Sequence, residues 1–161
     1  MESYGELKRT HHCGELSLRN AGQDIVLMGW VNRRRDHGGV IFLDLRDRSG
    51  VVQVVVSPDI SVDAFEKANG VRAEYVLAVQ GEVRKRPPGT ENPNMATGEI
   101  EVIAHDIRIL NIARALPFNP GEAAHVDEAL RLRYRYLDLR RPEYWHIFAM
   151  RHKAAAIIRE F

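Results

Sequence analysis

Phe42 and the arginines around it are the residues of this 161-residue chain whose types and spacing could do recognisable chemistry. Phe42 alternates with apolar residues in the segment VIFLDLRD at 40–47, so its ring should project from the opposite face. An outward aromatic ring can stack on a nucleic-acid base, and arginines beside it can pair with phosphates. Asp44 and Arg46 share its face, and burying charges without partners would be costly. These points favour an exposed ring over the reversed phase, in which Phe42 lies in the core.

The arginines that could act with this ring lie on two predicted strands. Arg33 and Arg35 share one face of the first strand, and Arg84 and Arg86 close the fourth. A solvated strand end is the simpler interpretation of such basic runs. Beside Phe42, the same pattern favours contacts with phosphates and base planes.

Polar side chains that could read base edges accompany the ring. Gln53 interrupts a run of valines, and its amide offers both a donor and an acceptor. Asn92 lies in the loop after the fourth strand, and Glu101 opens the fifth. Each could equally be an ordinary exposed polar residue. The full set predicted to contact nucleic acid is Arg33, Arg35, Phe42, Asp44, Gln53, Arg84, Arg86, Asn92 and Glu101.

Metal and catalytic chemistry find no support in the sequence. The adjacent residues His11, His12 and Cys13 cannot alone supply a tetrahedral site, and the sequence holds no second cluster. It also lacks a glycine-rich phosphate loop, a nucleophile motif and a paired-carboxylate arrangement. We therefore expect a binding protein with no metal and no catalytic residue.

Composition and the single cysteine bear on the compartment. A formal net charge of +1 does not by itself indicate a polyanionic partner, because acidic residues offset the basic clusters in the sum. One cysteine excludes an intramolecular disulfide, which fits a reducing compartment. No apolar run approaches the roughly 18 residues of a membrane span, and the charged N-terminus does not resemble a secretory signal. The expectation is a cytoplasmic protein.

Alternating segments predict the elements that must position these residues. Gly29 and Gly81 interrupt the long first and fourth strands, as at a bulge or a barrel bend. A helix between the third and fourth of five strands is the order of the oligonucleotide-binding (OB) fold, an all-β five-stranded barrel. Another small barrel, such as an SH3-like one, is the alternative. The predicted strands span 24–36, 40–47, 51–57, 74–86 and 99–110, and the helix spans 60–70.

The character of the sequence changes after residue 110. A loop containing prolines leads to Asp127, which can cap a helix, and Pro142 suits the first turn of a second helix. That last helix carries an apolar stripe that needs a partner surface, so we expect a longer protein. The predicted divisions are an OB-fold domain over 1–110, a linker or hinge over 111–141, and the first helix of a further domain over 142–161.

Three segments of the chain resemble a known family. They are GWVNRRRDHGGVIFLDLRDRSGVVQVV at 29–55, MATGEIEV at 95–102 and RLRYRYLDLRRPE at 131–143. Together they are similar to the N-terminal part of bacterial-type aspartyl-tRNA synthetases, which are class II enzymes. The resemblance implies a homodimer that joins aspartate to tRNA-Asp using ATP and Mg²⁺, with an N-terminal barrel that binds the anticodon.

The resemblance also implies roles for particular positions. Phe42 matches the position that stacks on the central anticodon base. Other anticodon contacts match Arg35, Gln53, Arg84 and Glu101. The helix from Pro142 begins the first class II motif, which serves the dimer interface. The motifs that hold ATP and aspartate are absent from the sequence, so this chain should bind RNA without making aspartyl-tRNA.

Two loop positions bear on specificity within that family. His37 and Gly89 resemble enzymes that charge tRNA-Asn as well as tRNA-Asp. Both loops would flank the third anticodon base, where the two tRNAs differ. Neutral loop variation is the alternative. Three other interpretations stay open: an asparaginyl or lysyl enzyme with the same barrel, a general single-strand-binding module, and a chain that self-associates through its last helix.

Overall fold

The computed structural model describes residues 2–3 and 5–161, except the side chains of residues 122–124 and 142. It divides into two compact units, Met1–Ala113 and Arg114–Phe161. In the described part of the first unit, alternating apolar residues form five strands, because a period of two places them all on one face. The strands are β1 Asp24–His37, β2 Val40–Arg46, β3 Val51–Val56, β4 Val76–Lys85 and β5 Ile100–Asn111.

These strands close into a barrel in the order β1-β2-β3-β5-β4, with β4 paired to β1. All pairs are antiparallel except β3 with β5. Helix α1, Val62–Asn69, lies between β3 and β4 in the chain. Ser61 caps it by accepting a hydrogen bond from the backbone N–H of Ala64 at 3.2 Å. The predicted OB fold is therefore confirmed.

The barrel interior is apolar and determines which way β2 faces. Ile41, Leu43 and Leu45 are fully buried, and they pack with residues from every other strand and with Ala64 and Ala68 of α1. The residues between them on β2 consequently project from the outer face of the barrel. Phe42 is one of these, so its predicted phase is correct.

Glycines permit two close approaches between neighbouring strands. A Cβ at Gly81 would lie 2.2 Å from the carbonyl oxygen of Ile103, and the β4–β5 register shifts beside it. A Cβ at Gly29 would lie 2.5 Å from the carbonyl oxygen of Arg46. The register shift in β1, however, falls between Val31 and Arg33, so the bulge lies after Gly29 and not at it.

The second unit consists of short helical segments and one long helix. A 3-10 helix spans Pro120–His125, followed by α2 Glu128–Arg133, α3 Arg135–Asp138 and α4 Pro142–Glu160. Asp127 caps α2 as predicted, accepting hydrogen bonds from the N–H groups of Ala129 and Leu130. The helix predicted from Asp127 is interrupted at Tyr134, whose φ of −112° and ψ of 46° are not helical.

Helix α4 begins at Pro142, where the sequence predicts a helix start. Its large apolar side chains are exposed: Trp145, Ile147, Phe148, Met150, Ile157 and Ile158. Across the described residues, no helix combines the length and the apolar character needed to cross a membrane.

Candidate nucleic-acid interface

Phe42 lies on the outer face of β2 and lines a cleft, here called the Phe42 cleft. The cleft has a volume of about 580 Å³, and the ring is half-buried in its wall. Strand pairing places Phe42 directly opposite Arg35 of β1. The side chains that surround the ring include Arg35, His37, Gln53, Arg86 and Asn92. Five residues predicted from separate strands and loops are thus brought together around one aromatic ring.

Arg35 and Gln53, which line the Phe42 cleft, belong to a row of hydrogen-bonded side chains. Arg35 Nη2 donates to Asp44 Oδ1 at 2.8 Å and to Gln53 Oε1 at 3.4 Å. Gln53 Nε2 in turn donates to Glu101 Oε2 at 3.3 Å. We call these four residues the polar row. Because Arg35 can only donate, the amide oxygen of Gln53 must face it, and the amide orientation follows.

Members of the polar row differ in their exposure. Asp44 and Gln53 are only 8% and 7% exposed, so neither is the ordinary outward polar residue that the sequence alone allowed. The side chain of Arg35 keeps 42% of its surface exposed while it holds Asp44. Arg35 can therefore still present its guanidinium plane and its remaining N–H groups to a ligand.

Burial raises the pKa of the Glu101 carboxyl, although Arg86, Gln53 and Arg84 act in the opposite direction. Arg84 pairs with Glu101 across the β4–β5 ladder. A half-buried carboxylate in this place can accept hydrogen bonds from the N–H groups of a base edge.

Arg84 and Arg86 are both predicted from the sequence to contact nucleic acid, but their surroundings in the structure differ. Arg84 is exposed and its Nη2 lies 2.8 Å from Glu82 Oε2. Arg86 is only 5% exposed and donates from Nε to the carbonyl oxygen of Ile100 at 2.9 Å. It also donates to the carbonyl oxygen of Thr90 at 3.3 Å, so it braces the loop over 87–98. Burial lowers the pKa of Arg86, which fits a supporting position.

Of the three consecutive arginines of β1, Arg35 lines the Phe42 cleft, and Arg33 and Arg34 do not. Arg33 is exposed opposite Asp44, whereas Arg34 faces the other way and donates from Nε to the carbonyl oxygen of Ala68 at 3.2 Å. His37 is exposed and lines the Phe42 cleft. Gly89 has a φ of +86° and donates its N–H to Glu91 Oε2 at 2.7 Å. The left-handed backbone at Gly89 favours glycine over any side chain.

A second cleft of about 320 Å³ adjoins the Phe42 cleft, and Asn92 lines both. We call it the amide cleft, because Asn32, Asn92 and Asn94 line it together with Asp44 and Ser49. Asn32 and Ser49 were not among the residues predicted from sequence. Asn32 lies at the register shift of β1, and it shares the amide cleft with Asn92, which is 60 residues away in the chain and therefore not paired with it by any local pattern.

The His11–Cys13 run forms a structural contact. His12 Nδ1 and the N–H of Cys13 each lie 2.9 Å from Asp47 Oδ2, and Ser49 Oγ donates to Asp47 Oδ1 at 2.6 Å. Burial, followed by the charge of Asp47, raises the pKa of the Cys13 thiol to about 12. In the described residues, no group of three or more His, Cys, Asp or Glu side chains could hold a metal ion.

Comparison with known families defines the class of protein. Residues 25–110 match the tRNA anticodon family, described as the OB-fold nucleic acid binding domain. The chain belongs to this family. The match covers the five strands of the barrel except Asp24 and Asn111, and it includes every residue of the polar row.

Full-length relatives narrow the assignment. The chain is 57% identical to the aspartate–tRNA(Asp/Asn) ligase of Moorella thermoacetica over 161 residues, which is 100% of this chain and 27% of the relative. It is 54% identical, with the same coverage, to the enzyme of that name from Oleidesulfovibrio alaskensis. The chain thus spans about a quarter of the length of these relatives. The resemblance to aspartyl-tRNA synthetases predicted from its segments is confirmed.

Solved structures agree with this fold. Asparaginyl-tRNA synthetase from Pyrococcus horikoshii, complexed with asparaginyl-adenylate, matches with a TM-score of 0.78 and 26% identity. That match covers 96% of this chain and 34% of the other. Aspartyl-tRNA synthetase from Entamoeba histolytica matches with a TM-score of 0.81 at 22% identity, over 98% of this chain and 37% of the other, and supports the fold alone.

Proposed function

We propose that this chain binds the anticodon loop of tRNA-Asp as the anticodon-binding part of an aspartate–tRNA ligase. The observation that carries the proposal is Phe42, held in a cleft on the outer barrel face with Arg35 and Gln53 beside it. The family match and the names of the curated relatives agree with this use of the surface.

In this proposal the parts of the interface have distinct tasks. One anticodon base stacks on Phe42, and the exposed guanidinium of Arg35 contacts its edge or its phosphate. Gln53 and Glu101 offer hydrogen-bonding groups to base edges, and Asn92 contributes from the loop. Arg33 and Arg84 are exposed and pair with phosphates, whereas Asp44 and Arg86 act mainly by positioning Arg35 and the 87–98 loop. 

Substitution of Phe42 tests the proposal directly. Phe42→Leu keeps an apolar side chain and removes the ring, so binding to a tRNA-Asp anticodon stem-loop should weaken by about 5- to 150-fold, since stacking contributes ~1–3 kcal/mol per base. Phe42→Tyr keeps the ring and should bind within about threefold of the unsubstituted chain. Fluorescence anisotropy titration at fixed salt measures both affinities.

The matched control is Trp145→Leu, which removes an exposed aromatic ring from α4. It should leave the affinity unchanged. Equal binding by Phe42→Leu and the unsubstituted chain would remove the basis of the proposal.

The remaining properties of the resembled enzyme are proposed for the whole ligase. They are attachment of aspartate to tRNA with ATP and Mg²⁺, a homodimer, and a cytoplasmic location. We assign ATP and Mg²⁺ to the part of the relatives that this chain does not span, with 111–141 as the hinge and 142–161 as the first helix of the catalytic domain.

We further propose that the interface accepts tRNA-Asn as well as tRNA-Asp. His37 lines the Phe42 cleft, and Gly89 lies in the loop that overhangs it. The expected result is that stem-loops of the two tRNAs, which differ at the third anticodon base, bind within about tenfold of each other. Competition titrations against one labelled stem-loop measure the ratio. A preference above a hundredfold for either would contradict relaxed specificity.

The strongest alternative is an anticodon domain of an asparaginyl enzyme. The match to the asparaginyl-tRNA synthetase of Pyrococcus horikoshii covers 96% of this chain, which makes an asparaginyl enzyme the second candidate. It predicts a clear preference for the tRNA-Asn stem-loop in the same titrations. A general single-strand-binding module would instead bind an unrelated oligonucleotide of equal length as well as either stem-loop.

A further inference from the structure

The bulge in β1 changes which face of the barrel the following residues occupy. Val31 is fully buried and pairs with Leu45. Arg33 pairs with Asp44, the residue before Leu45 on β2. β1 therefore advances by two residues where β2 advances by one, and Asn32 is the extra residue. This extra residue shifts the alternation of β1 by one position, so that odd-numbered residues, which face inward before the bulge, face outward after it.

This shift is what brings Arg35 to the outer face. If β1 alternated without interruption from the buried Val31, Arg33 and Arg35 would both face the apolar interior of the barrel. With the bulge in place, Arg35 lies opposite Phe42. Guanidinium groups without partners are too costly to bury in such a core. The geometry of the bulge and the position of Arg35 are therefore linked.

Three side chains hold the bulge together, and we call them the bulge clamp: Asn32, Arg46 and Glu74. Arg46 donates from Nη1 to Asn32 Oδ1 at 3.1 Å and from Nη2 to both carboxylate oxygens of Glu74, at 2.8 and 3.1 Å. The side chains of Arg46 and Glu74 are only 22% and 10% exposed, so water screens this ion pair less than it screens a surface pair. Of the described residues that line the Phe42 cleft, none belongs to the bulge clamp.

The backbone of Glu74 holds the same bulge. Its N–H donates to the carbonyl oxygen of Val31 at 2.6 Å, and the N–H of Val31 donates to the carbonyl oxygen of Tyr75 at 2.9 Å. Among the described non-glycine residues, only Glu74 has a positive φ, at 65°. Backbone strain of this kind persists only where the surrounding structure enforces it, and it clusters at functional sites. Glu74 thus acts on the bulge through its main chain at Val31 and through its carboxylate at Arg46.

We propose that Glu74 is a positioning residue for RNA binding and acts through the bulge of β1 on Arg35. The Glu74 carboxylate holds Arg46, Arg46 holds Asn32, and the fixed bulge keeps Arg35 beside Phe42. Arg35 lies three residues beyond Asn32, about 10 Å along the strand. Glu74 itself does not contact the RNA. This inference rests on the proposed function, and it extends the determinants of binding to the segment that precedes β4.

Two substitutions at Glu74 separate positioning from stability in the full 161-residue chain. Glu74→Ala removes the carboxylate and keeps the strained backbone, whereas Glu74→Gly removes the carboxylate and suits a φ of 65°. Glu74→Gly should therefore unfold at a higher urea concentration than Glu74→Ala. Both should nevertheless weaken binding of the tRNA-Asp anticodon stem-loop by about five- to tenfold, the effect of one misplaced charged hydrogen bond at Arg35. Unchanged affinity in both variants, or affinities that follow the two stabilities, would overturn the proposal.

The matched control is Asp106→Ala, which removes a carboxylate that lies 3.3 Å from Arg108 on β5. It makes the same change in net charge away from the bulge. Loss of a negative charge favours RNA binding, so the weakening expected at Glu74 runs against the effect of charge. Asp106→Ala should bind the stem-loop within about twofold of the unsubstituted chain or slightly more tightly.

Substitution of Arg35 tests the route by which Glu74 acts. In Arg35→Ala the guanidinium that the bulge clamp positions is gone. Adding Glu74→Ala to this variant should lower the affinity by less than about twofold further, so that the two substitutions are coupled in a double-mutant cycle. An undiminished effect of Glu74→Ala in the Arg35→Ala background would mean that Glu74 acts by another route, and the proposal would be wrong.

Amide hydrogen exchange of the free protein tests the bulge clamp without RNA. The amides over 33–44 should exchange faster in Glu74→Ala than in the unsubstituted chain, because the hairpin of β1 and β2 opens more often. If Phe42→Leu weakens binding while Glu74→Ala changes neither exchange nor affinity, the inference fails and the proposed function stands. If Phe42→Leu leaves binding unchanged, the proposed function fails, whatever the exchange of Glu74→Ala shows.

Discussion

Asp47 joins the N-terminal segment to the turn after β2. It accepts hydrogen bonds from His12, from the backbone N–H of Cys13 and from Ser49. Burial raises the pKa of its carboxyl, but the hydrogen bonds from Ser49, Cys13 and His12 outweigh that effect and hold the pKa at about 2. The ionised form is therefore strongly preferred in the folded protein.

This preference predicts a pH dependence of stability. The folded pKa lies below the ordinary value of 3.8, so the contribution of Asp47 is complete above about pH 4 and is lost as the pH falls towards 2. Its size is about 2 kcal/mol. Urea unfolding of Asp47→Asn and of the unsubstituted chain should differ most at pH 7 and converge near pH 2. Asp59→Asn, at an exposed position, serves as control and should follow the unsubstituted chain.

At the same scale, alternation along β2 predicts the outward position of Phe42, because one buried face dictates the phase of a strand. It does not predict that Asp44 and Gln53 are nearly buried. Their burial depends on Arg35 and Glu101, which approach them only after β1, β3 and β5 have paired. Arg35 and Asp44 are 9 residues apart in the chain, and Gln53 and Glu101 are 48 apart. A local sequence pattern does not predict contacts between residues on different strands.

Strands and turns account for most of what the sequence predicts at the level of elements. All five strands and α1 lie where alternation and turn residues place them, because these signals are local. The bulge of β1 lies between Val31 and Arg33 and not at Gly29, since a bulge depends on the partner strand. The sequence likewise does not predict the interruption of the helix at Tyr134, because no glycine or proline stands at that position.

Gly81 provides a test of how tightly β4 and β5 approach. Gly81→Ala would place a Cβ 2.2 Å from the carbonyl oxygen of Ile103, so the strands must separate locally. We expect a loss of about 1–3 kcal/mol in the free energy of unfolding, measured by urea denaturation.

The control for this substitution is Gly70→Ala after α1, where the Cβ meets nothing closer than 3.6 Å. Its stability should stay the same or rise by less than about 1 kcal/mol. Equal stability of the two variants would mean that the β4–β5 pairing relaxes without cost.

The molecule as a whole joins a closed barrel to a unit with an exposed apolar helix. The barrel interior is filled by its own side chains, whereas six large apolar residues of α4 are 48–76% exposed. Exposed apolar surface of this kind is typical of an interface. Sequence predicts this contrast, because the apolar stripe of α4 is visible without any knowledge of the fold.

The proposed homodimer makes α4 the place to test self-association. Ile158→Glu puts a charge on its most exposed isoleucine and should shift the full chain towards monomer in sedimentation equilibrium. His152→Glu adds the same charge at an exposed polar position of α4 and should leave the distribution unchanged. Identical distributions for all three proteins would exclude α4 as the contact.

The loop over 87–98 has a consequence for how recognition can change. Its two ends meet through the hydrogen bond from Arg86 N–H to the carbonyl oxygen of Glu99, and the side chain of Arg86 braces the loop at the carbonyl oxygen of Thr90. The apolar interior of the barrel draws no buried hydrophobic residue from this loop. Thr97 is the exception, because it is buried and donates from Oγ1 to the carbonyl oxygen of Val51 at 2.7 Å. With Thr97 and Gly98 kept, residues 87–96 can be exchanged between homologues or randomised in a library as a cassette, which would retune the recognised nucleotide sequence while the scaffold folds as before.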